Sequence, residues 1–225
     1  MEQSMYDKLL SLPLFQGLGQ NDLTRILEST HLTFETAVPQ TVLVRQDDLC
    51  NTVVFVMDGD IEFSTQSADH SWSVTEHLPA PMAIGLDSLY GSSRVYQATC
   101  TTATSAHILC VDKRTIAALT GYFEVFRINV LNALSTLSAR QRQLQWMPAP
   151  ATLEGRIVRF LRHHVQRPAG NKHFDITLRI LGAYLGEDYR YVSRALHALQ
   201  DKGLLRLGRR FIEVPAFENI IKETL

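Results

Sequence analysis

TLRILGAYLGEDYRYVSRALHALQDKGLL, from Thr177 to Leu205, is the stretch that decides how this chain is read. Thr177 can cap a helix, because its hydroxyl accepts an orphan backbone N–H. Ile180, Leu181, Tyr184 and Leu185 then recur at helical spacing and give one apolar face. Gly186 stands where that helix must stop, in the role of a left-handed C-cap. Asp188 can cap a second helix, in which Val192, Ala195, Leu196 and Leu199 face inward and Tyr189, Arg190, Ser193, Arg194 and His197 face outward. A short apolar helix, a glycine and a second helix with outward arginines is the layout of a DNA-reading helix-turn-helix. An ordinary αα-hairpin with a solvated basic face is the alternative.

The residues that follow favour the first reading. Lys202 and Gly203 suit a helix C-terminus. Leu205-Arg206-Leu207 and Phe211-Ile212-Glu213-Val214 alternate as two short strands around the tip Gly208-Arg209-Arg210. The expected element is a winged helix-turn-helix. Phosphate contacts fix register and base contacts specify. Tyr189, Arg190 and Arg194 are expected to read bases, since arginine can bridge guanine O6 and N7. Arg209 and Arg210 are expected on phosphate, with Thr177, Asp188 and Tyr191 counted beside them.

The 225 residues suffice for two modest domains with real cores. No apolar run reaches the roughly 18 residues of a membrane span, and the acidic start of the chain makes a poor signal peptide. Three scattered cysteines, Cys50, Cys100 and Cys110, fit a reducing cytoplasm rather than a disulfide framework. The net charge of −1 hides an asymmetry: residues 148–225 hold 13 Lys and Arg against 8 Asp and Glu, and the remainder 9 against 15. That suits a polyanion-binding module joined to a part that does not bind DNA.

Tyr6–Leu10 and Asn21–Glu28 read as short helices. From His31 to Val111 short strands alternate with turns, at 41–44, 52–57, 61–64, 72–75 and 106–111, which suggests a barrel, sandwich or roll. A long helix is expected from Tyr122 to Gln145. Phe123, Arg127, Val130, Leu134, Leu137, Gln141 and Leu144 form a heptad seam along it; a helix packed on its own domain is the other reading. A parallel dimer would set two winged modules on half-sites about 34 Å apart. Pro148 and Pro150 end the helix, and Thr152 caps the next, TLEGRIVRFLRHHV. The expected domains are therefore 1–121, 122–147 and 148–225.

That order of parts resembles the Crp/Fnr family of bacterial transcription regulators, over nearly the whole chain. The segments TLEGRIVRFL and ILGAYLGEDYRYVSRALHALQDKGLL and the wing carry the resemblance, and LVRQDDLCNTVVFVMDGDIEF is similar to the family's β-roll, with its turn glycine at Gly59. The resemblance implies an α+β fold: an N-terminal cyclic-nucleotide-binding-like β-roll (jelly roll), a long dimerisation helix with its seam at Val130, Leu134, Leu137, Gln141 and Leu144, and a C-terminal winged helix-turn-helix. It implies a cytoplasmic homodimer on an inverted repeat of double-stranded DNA, with RNA polymerase as a partner and no membrane. The effector pocket it implies holds Gly85, Leu86, Arg94, Tyr96, Gln97 and Gln141.

The sequence departs from the family in two places. Leu86 stands where the cyclic-nucleotide cassette has its Glu, Tyr96 and Gln97 where Arg and Ser meet the cyclic phosphate, and Arg94 comes two residues early. A buried phosphate needs a charged partner, so cyclic AMP is not the expected effector. An unknown small molecule, or none, takes its place, and no cofactor is predicted. In the reading helix the family's Arg, Glu and Arg become Tyr189, Arg190 and Arg194, so a half-site other than TGTGA is expected. The first cysteine is Cys50, which argues against an N-terminal iron–sulfur cluster. His31, His70, His77 and His107 have no ligand spacing, so no metal is predicted. No Walker loop, H-E-x-x-H or G-x-S-x-G is present, so no catalytic residue is assigned. A ligand-binding module acting through protein partners is the alternative function.

Overall fold

The structure, a computed structural model, describes residues 5–30 and 32–224; His31 lies outside them. In chain order the elements are α1 (Met5–Ser11), α2 (Gln20–Ser29), β1 (Thr33–Ala37), β2 (Val42–Val44), β3 (Thr52–Val56), β4 (Asp60–Gln66), β5 (Ser73–Pro79), β6 (Met82–Ile84), β7 (Thr99–Thr102) and β8 (Ala106–Asp112). They continue with α3 (Lys113–Tyr122), α4 (Glu124–Gln145), α5 (Leu153–His163), β9 (Lys172–Asp175), α6 (Leu178–Leu185), α7 (Tyr189–Asp201), β10 (Arg206–Leu207), β11 (Phe211–Val214) and α8 (Phe217–Thr224). The chain divides into two units, one of residues 1–61 and 79–145, the other of 62–78 and 146–225.

The first unit is a roll of antiparallel strands. One sheet runs β1-β8-β3-β6, and β2 pairs with β7. On β3, Val53, Val54, Phe55 and Val56 are all buried, as the unbroken apolar run predicts for a central strand. Phe15 meets Phe55 edge-on at 5.4 Å and Phe126 at 5.2 Å, joining the N-terminal helices, the sheet and α4 in one core. Asp112 caps α3 by accepting the Arg114 and Thr115 N–H groups.

The expected helix from Tyr122 is interrupted. The Phe123 N–H closes α3 on the Leu119 carbonyl, and α4 begins at Glu124. Phe126 and Val130 are buried in their own unit, whereas Ile128 and Leu131 on the opposite side are 46% and 57% exposed. Val130 thus packs inside the first unit rather than on an exposed seam, because the first turns of α4 lie against the roll. Leu137 is exposed and Leu134 and Leu144 are half-buried.

The second unit is discontinuous. The expected boundaries left residues 62–78 with the roll, but β5 adds to a sheet whose order is β10-β11-β9-β5-β4. Its register is Ser73↔Asp175, Val74↔Phe174, Thr75↔His173 and Glu76↔Lys172. Trp72 and Val74 enter the same core as Ile157, Leu161, Phe174, Leu196 and Phe217. The ring of Trp72 also lies 4.7 Å from His164 and 5.4 Å from Phe160. Burial pushes the His164 imidazole below its usual range.

Lys172 and Glu76 occupy inward positions of their strands and are 0% and 2% exposed. The Lys172 Nζ lies 3.1 Å from Glu76 Oε2 without hydrogen-bond alignment. Glu76 also accepts the backbone N–H groups of Gln166 at 2.6 Å and Arg167 at 3.3 Å. Removing one member of a buried ion pair strands the other. Lys172→Met is therefore expected to destabilise the chain by about 3–5 kcal/mol in denaturant unfolding, with partial recovery in Lys172→Met/Glu76→Gln. A loss below about 1 kcal/mol in Lys172→Met would show that the pair is not needed.

Candidate nucleic-acid interface

Local chemistry sets the two helices of the motif. Thr177 Oγ1 accepts the Ile180 N–H at 3.3 Å and starts α6. Gly186 stops it with φ +67, a conformation glycine adopts at no steric cost. The Glu187 N–H returns to the Gly182 carbonyl at 2.9 Å. This fold-back brings the backbone so close that a Cβ on Gly182 would sit 2.7 Å from the Glu187 carbonyl oxygen. An ion pair between Arg156 of α5 and Glu187 holds the turn from outside.

The second helix, α7, buries Val192, Ala195, Leu196 and Leu199, as its periodicity predicts. Tyr189, Arg190, Tyr191, Arg194 and His197 are exposed on it. Two rings carry guanidinium groups: Arg179 lies 5.9 Å from the centre of Tyr189, and Arg194 5.7 Å from that of Tyr191. Asp188 Oδ1 accepts the Arg190 backbone N–H at 2.9 Å. Its carboxylate also holds the Arg190 side chain, which keeps the carboxyl at about 2, well ionised. The expected phosphate contact at Asp188 thus becomes an anionic carboxylate committed to Arg190, and a carboxylate repels phosphate.

The wing closes as expected, with Arg206↔Glu213 and Leu207↔Ile212 in register and Gly208 N–H on the Phe211 carbonyl at 2.9 Å. Arg209 and Arg210 are exposed at its tip. Gln200 was not anticipated in the sequence: its Oε1 accepts the Leu207 N–H at 2.9 Å and ties the wing to α7. Phe211 stacks on His173 of β9 at 4.9 Å. The structure thus brings Tyr189, Arg190 and Arg194 together on one helix, with Thr177 at the start of α6 and Arg209 and Arg210 on the wing of the same unit.

The candidate effector residues do not all converge. Gly85, Leu86 and Tyr96 are together inside the roll, where Tyr96 Cε1 would meet a Cβ on Gly85 at 2.7 Å. The Tyr96 hydroxyl donates to the Thr52 carbonyl at 2.7 Å and Cys50 Sγ lies 3.3 Å from the Gly85 carbonyl. Burial raises both the Tyr96 phenol and the Cys50 thiol. Arg94, Gln97 and Gln141 are exposed. Gln97 turns back on the Val95 carbonyl at 2.9 Å. Of the histidines, His70 contacts Gln66, His77 lies 3.8 Å from Glu62, and His107 pairs with Asp58. No helix among the described residues is long and apolar enough to cross a membrane.

The Crp-like helix-turn-helix domain family matches residues 155–220. Those residues form a Crp-like helix-turn-helix domain. Two solved structures are similar to most of the chain. The catabolite activator protein of Thermus thermophilus has a TM-score of 0.50 at 23% identity, over 94% of this chain and 97% of that one. A Crp/Fnr-family protein of Eubacterium rectale has a TM-score of 0.52 at 16% identity, again over 94% and 97%. At these identities the likeness is one of fold. Among curated proteins none matches the chain. The chain therefore carries a Crp-like helix-turn-helix domain after a β-rich domain, and shares its fold with these two structures.

Gly182→Ala places a methyl group against backbone that cannot yield without moving the turn. Overpacking of this kind costs about 1–3 kcal/mol. The variant is expected to lose that much stability in thermal unfolding and to lose DNA binding along with it; an unchanged midpoint would show that the turn has slack.

Proposed function

We propose that this protein is a homodimeric, sequence-specific DNA-binding transcription regulator of the cytoplasm, controlled through its roll by something other than cyclic AMP. The observation that carries this reading is the Crp-like domain at 155–220 with Tyr189, Arg190 and Arg194 exposed on its second helix. Arg190 and Arg194 read bases, flanked by Tyr189. Arg209 and Arg210 take phosphate from the wing, with the Thr177 end of α6 and Tyr191 beside them. RNA polymerase is the partner through which a bound regulator would act.

Dimerisation through α4 is supported by Ile128 and Leu131, apolar and uncovered within the protomer, followed by Leu134, Leu137 and Leu144. Leu131→Glu/Leu137→Glu is expected to sediment as a monomer. A dimer in that variant would place the contact elsewhere.

The buried Tyr96, and the exposure of Arg94, speak against a cyclic phosphate in the roll, because no guanidinium is turned inward at these positions to receive it. Added cyclic AMP is expected to leave the melting temperature unchanged; a ligand that binds the native state raises it by mass action.

Selection of duplexes from random DNA, with purified protein and no ligand, is the direct test. The expected result is an inverted repeat whose half-site differs from TGTGA. Arg210→Ala should then weaken binding to all sequences and flatten the salt slope by about one unit. Arg194→Ala should lose about 1–3 kcal/mol at one base pair. Failure to bind any duplex would favour a module that works through protein partners.

A further inference from the structure

The start of the reading helix contains an arrangement that the exposed arginines alone do not explain. Asp188 stands outside α7 as its cap, and Arg190 folds back over it. Arg190 Nε donates to Oδ1 at 3.0 Å and Nη2 donates to Oδ2 at 3.1 Å. The two bonds run side by side, one from each nitrogen along one edge of the guanidinium, the geometry of a bidentate carboxylate pair.

A guanidinium has five N–H groups in a fixed fork. Asp188 takes the one on Nε and one on Nη2. Both hydrogens of Nη1 and the second hydrogen of Nη2 stay free, and no other side chain of the described residues takes them. The free set includes one N–H on each terminal nitrogen, a second pair of parallel donors. That pair matches the O6 and N7 acceptors of guanine in the major groove. A clamped arginine also has less rotamer freedom to lose when it docks.

We propose that Asp188 is a specificity-determining positioning residue. It grips Arg190 by its side edge and presents the end-on fork to one guanine. The inference rests on the DNA-reading function proposed above and adds a consequence that reading does not contain. The Asp188 carboxylate cancels the charge of Arg190 for phosphate, so Arg190 contributes to base choice and little to general attraction.

Asp188→Asn separates the clamp from the cap. Asn is as good an N-cap as Asp, but it is uncharged and offers a single oxygen. Wild type, Asp188→Asn and Arg190→Ala are each subjected to duplex selection and to binding on random DNA across a salt series. The wild type is expected to enrich a guanine at a half-site position that Arg190→Ala loses. Asp188→Asn should lower the preference for that same guanine by about tenfold, bind random DNA more tightly, and steepen the salt slope by about one unit as a cation is released to phosphate. An unchanged melting temperature keeps the cap out of the result; Asp188→Ser, a cap without charge, replaces the variant should Asn perturb the fold.

A preference and salt slope that do not change in Asp188→Asn, with wild-type DNA selection intact, would overturn the clamp alone. Changes in the two variants at different base pairs would do the same. A wild type that selects no duplex would remove the DNA-reading function and the clamp together.

Discussion

A lysine ammonium buried against one carboxylate organises the second unit. Lys172 and Glu76 are both closed to solvent, and Glu76 spends its remaining capacity on the backbone N–H groups of Gln166 and Arg167. Taking two charges out of water gains little net energy over an apolar pair of the same shape. What the pair supplies is register. A slip of β5 on β9 by one residue would turn Glu76 outward and leave Lys172 without a counter-charge. The wing hangs on the same sheet, since β10 pairs with β11 and β11 with β9. The position of Arg209 and Arg210 is thus referred, strand by strand, to a contact in the protein interior.

Helix α7 is fixed from the other side by short-range devices. Thr177 starts α6, Gly186 stops it, and Asp188 starts α7. Between them the absence of a Cβ at Gly182 lets the turn close. Gln200 then links the far end of α7 to the wing at Leu207. Helix and wing share a frame, so the groups proposed to read bases and to hold phosphate keep a set spacing, as recognition with pre-placed contacts requires.

How much of this could be read in the sequence follows from the range of the interactions. The helix-turn-helix was legible because caps, glycine and apolar period all lie within a few residues of what they specify. The β5–β9 pairing was not. One inward position on each strand is charged, Glu76 beside Val74 and Lys172 beside Phe174, which breaks the apolar alternation that marks a strand, and the two are far apart in the chain. Val130 fitted a heptad seam equally well on either reading, and only the packing of α4 against the roll decides which face it joins. The Asp188–Arg190 pair was hidden for a local reason. Residues two apart do not meet on a helix; these do because Asp188 is in extended geometry, at ψ 135, just outside it.

The discontinuity of the second unit sets the order in which the chain can fold. The hairpin of β4 and β5 is made long before α5 and β9 exist. The contact between Glu76 and Gln166 closes a loop of 90 residues, and long loops are paid for in entropy before their contacts return anything. During synthesis the roll can collapse while β5 still presents an open edge, with the Trp72 indole uncovered. Only when Lys172 arrives does that edge acquire its partner. The second unit is therefore the last part of the molecule to become complete, because it must capture a strand that has been waiting since the first third of the chain was made.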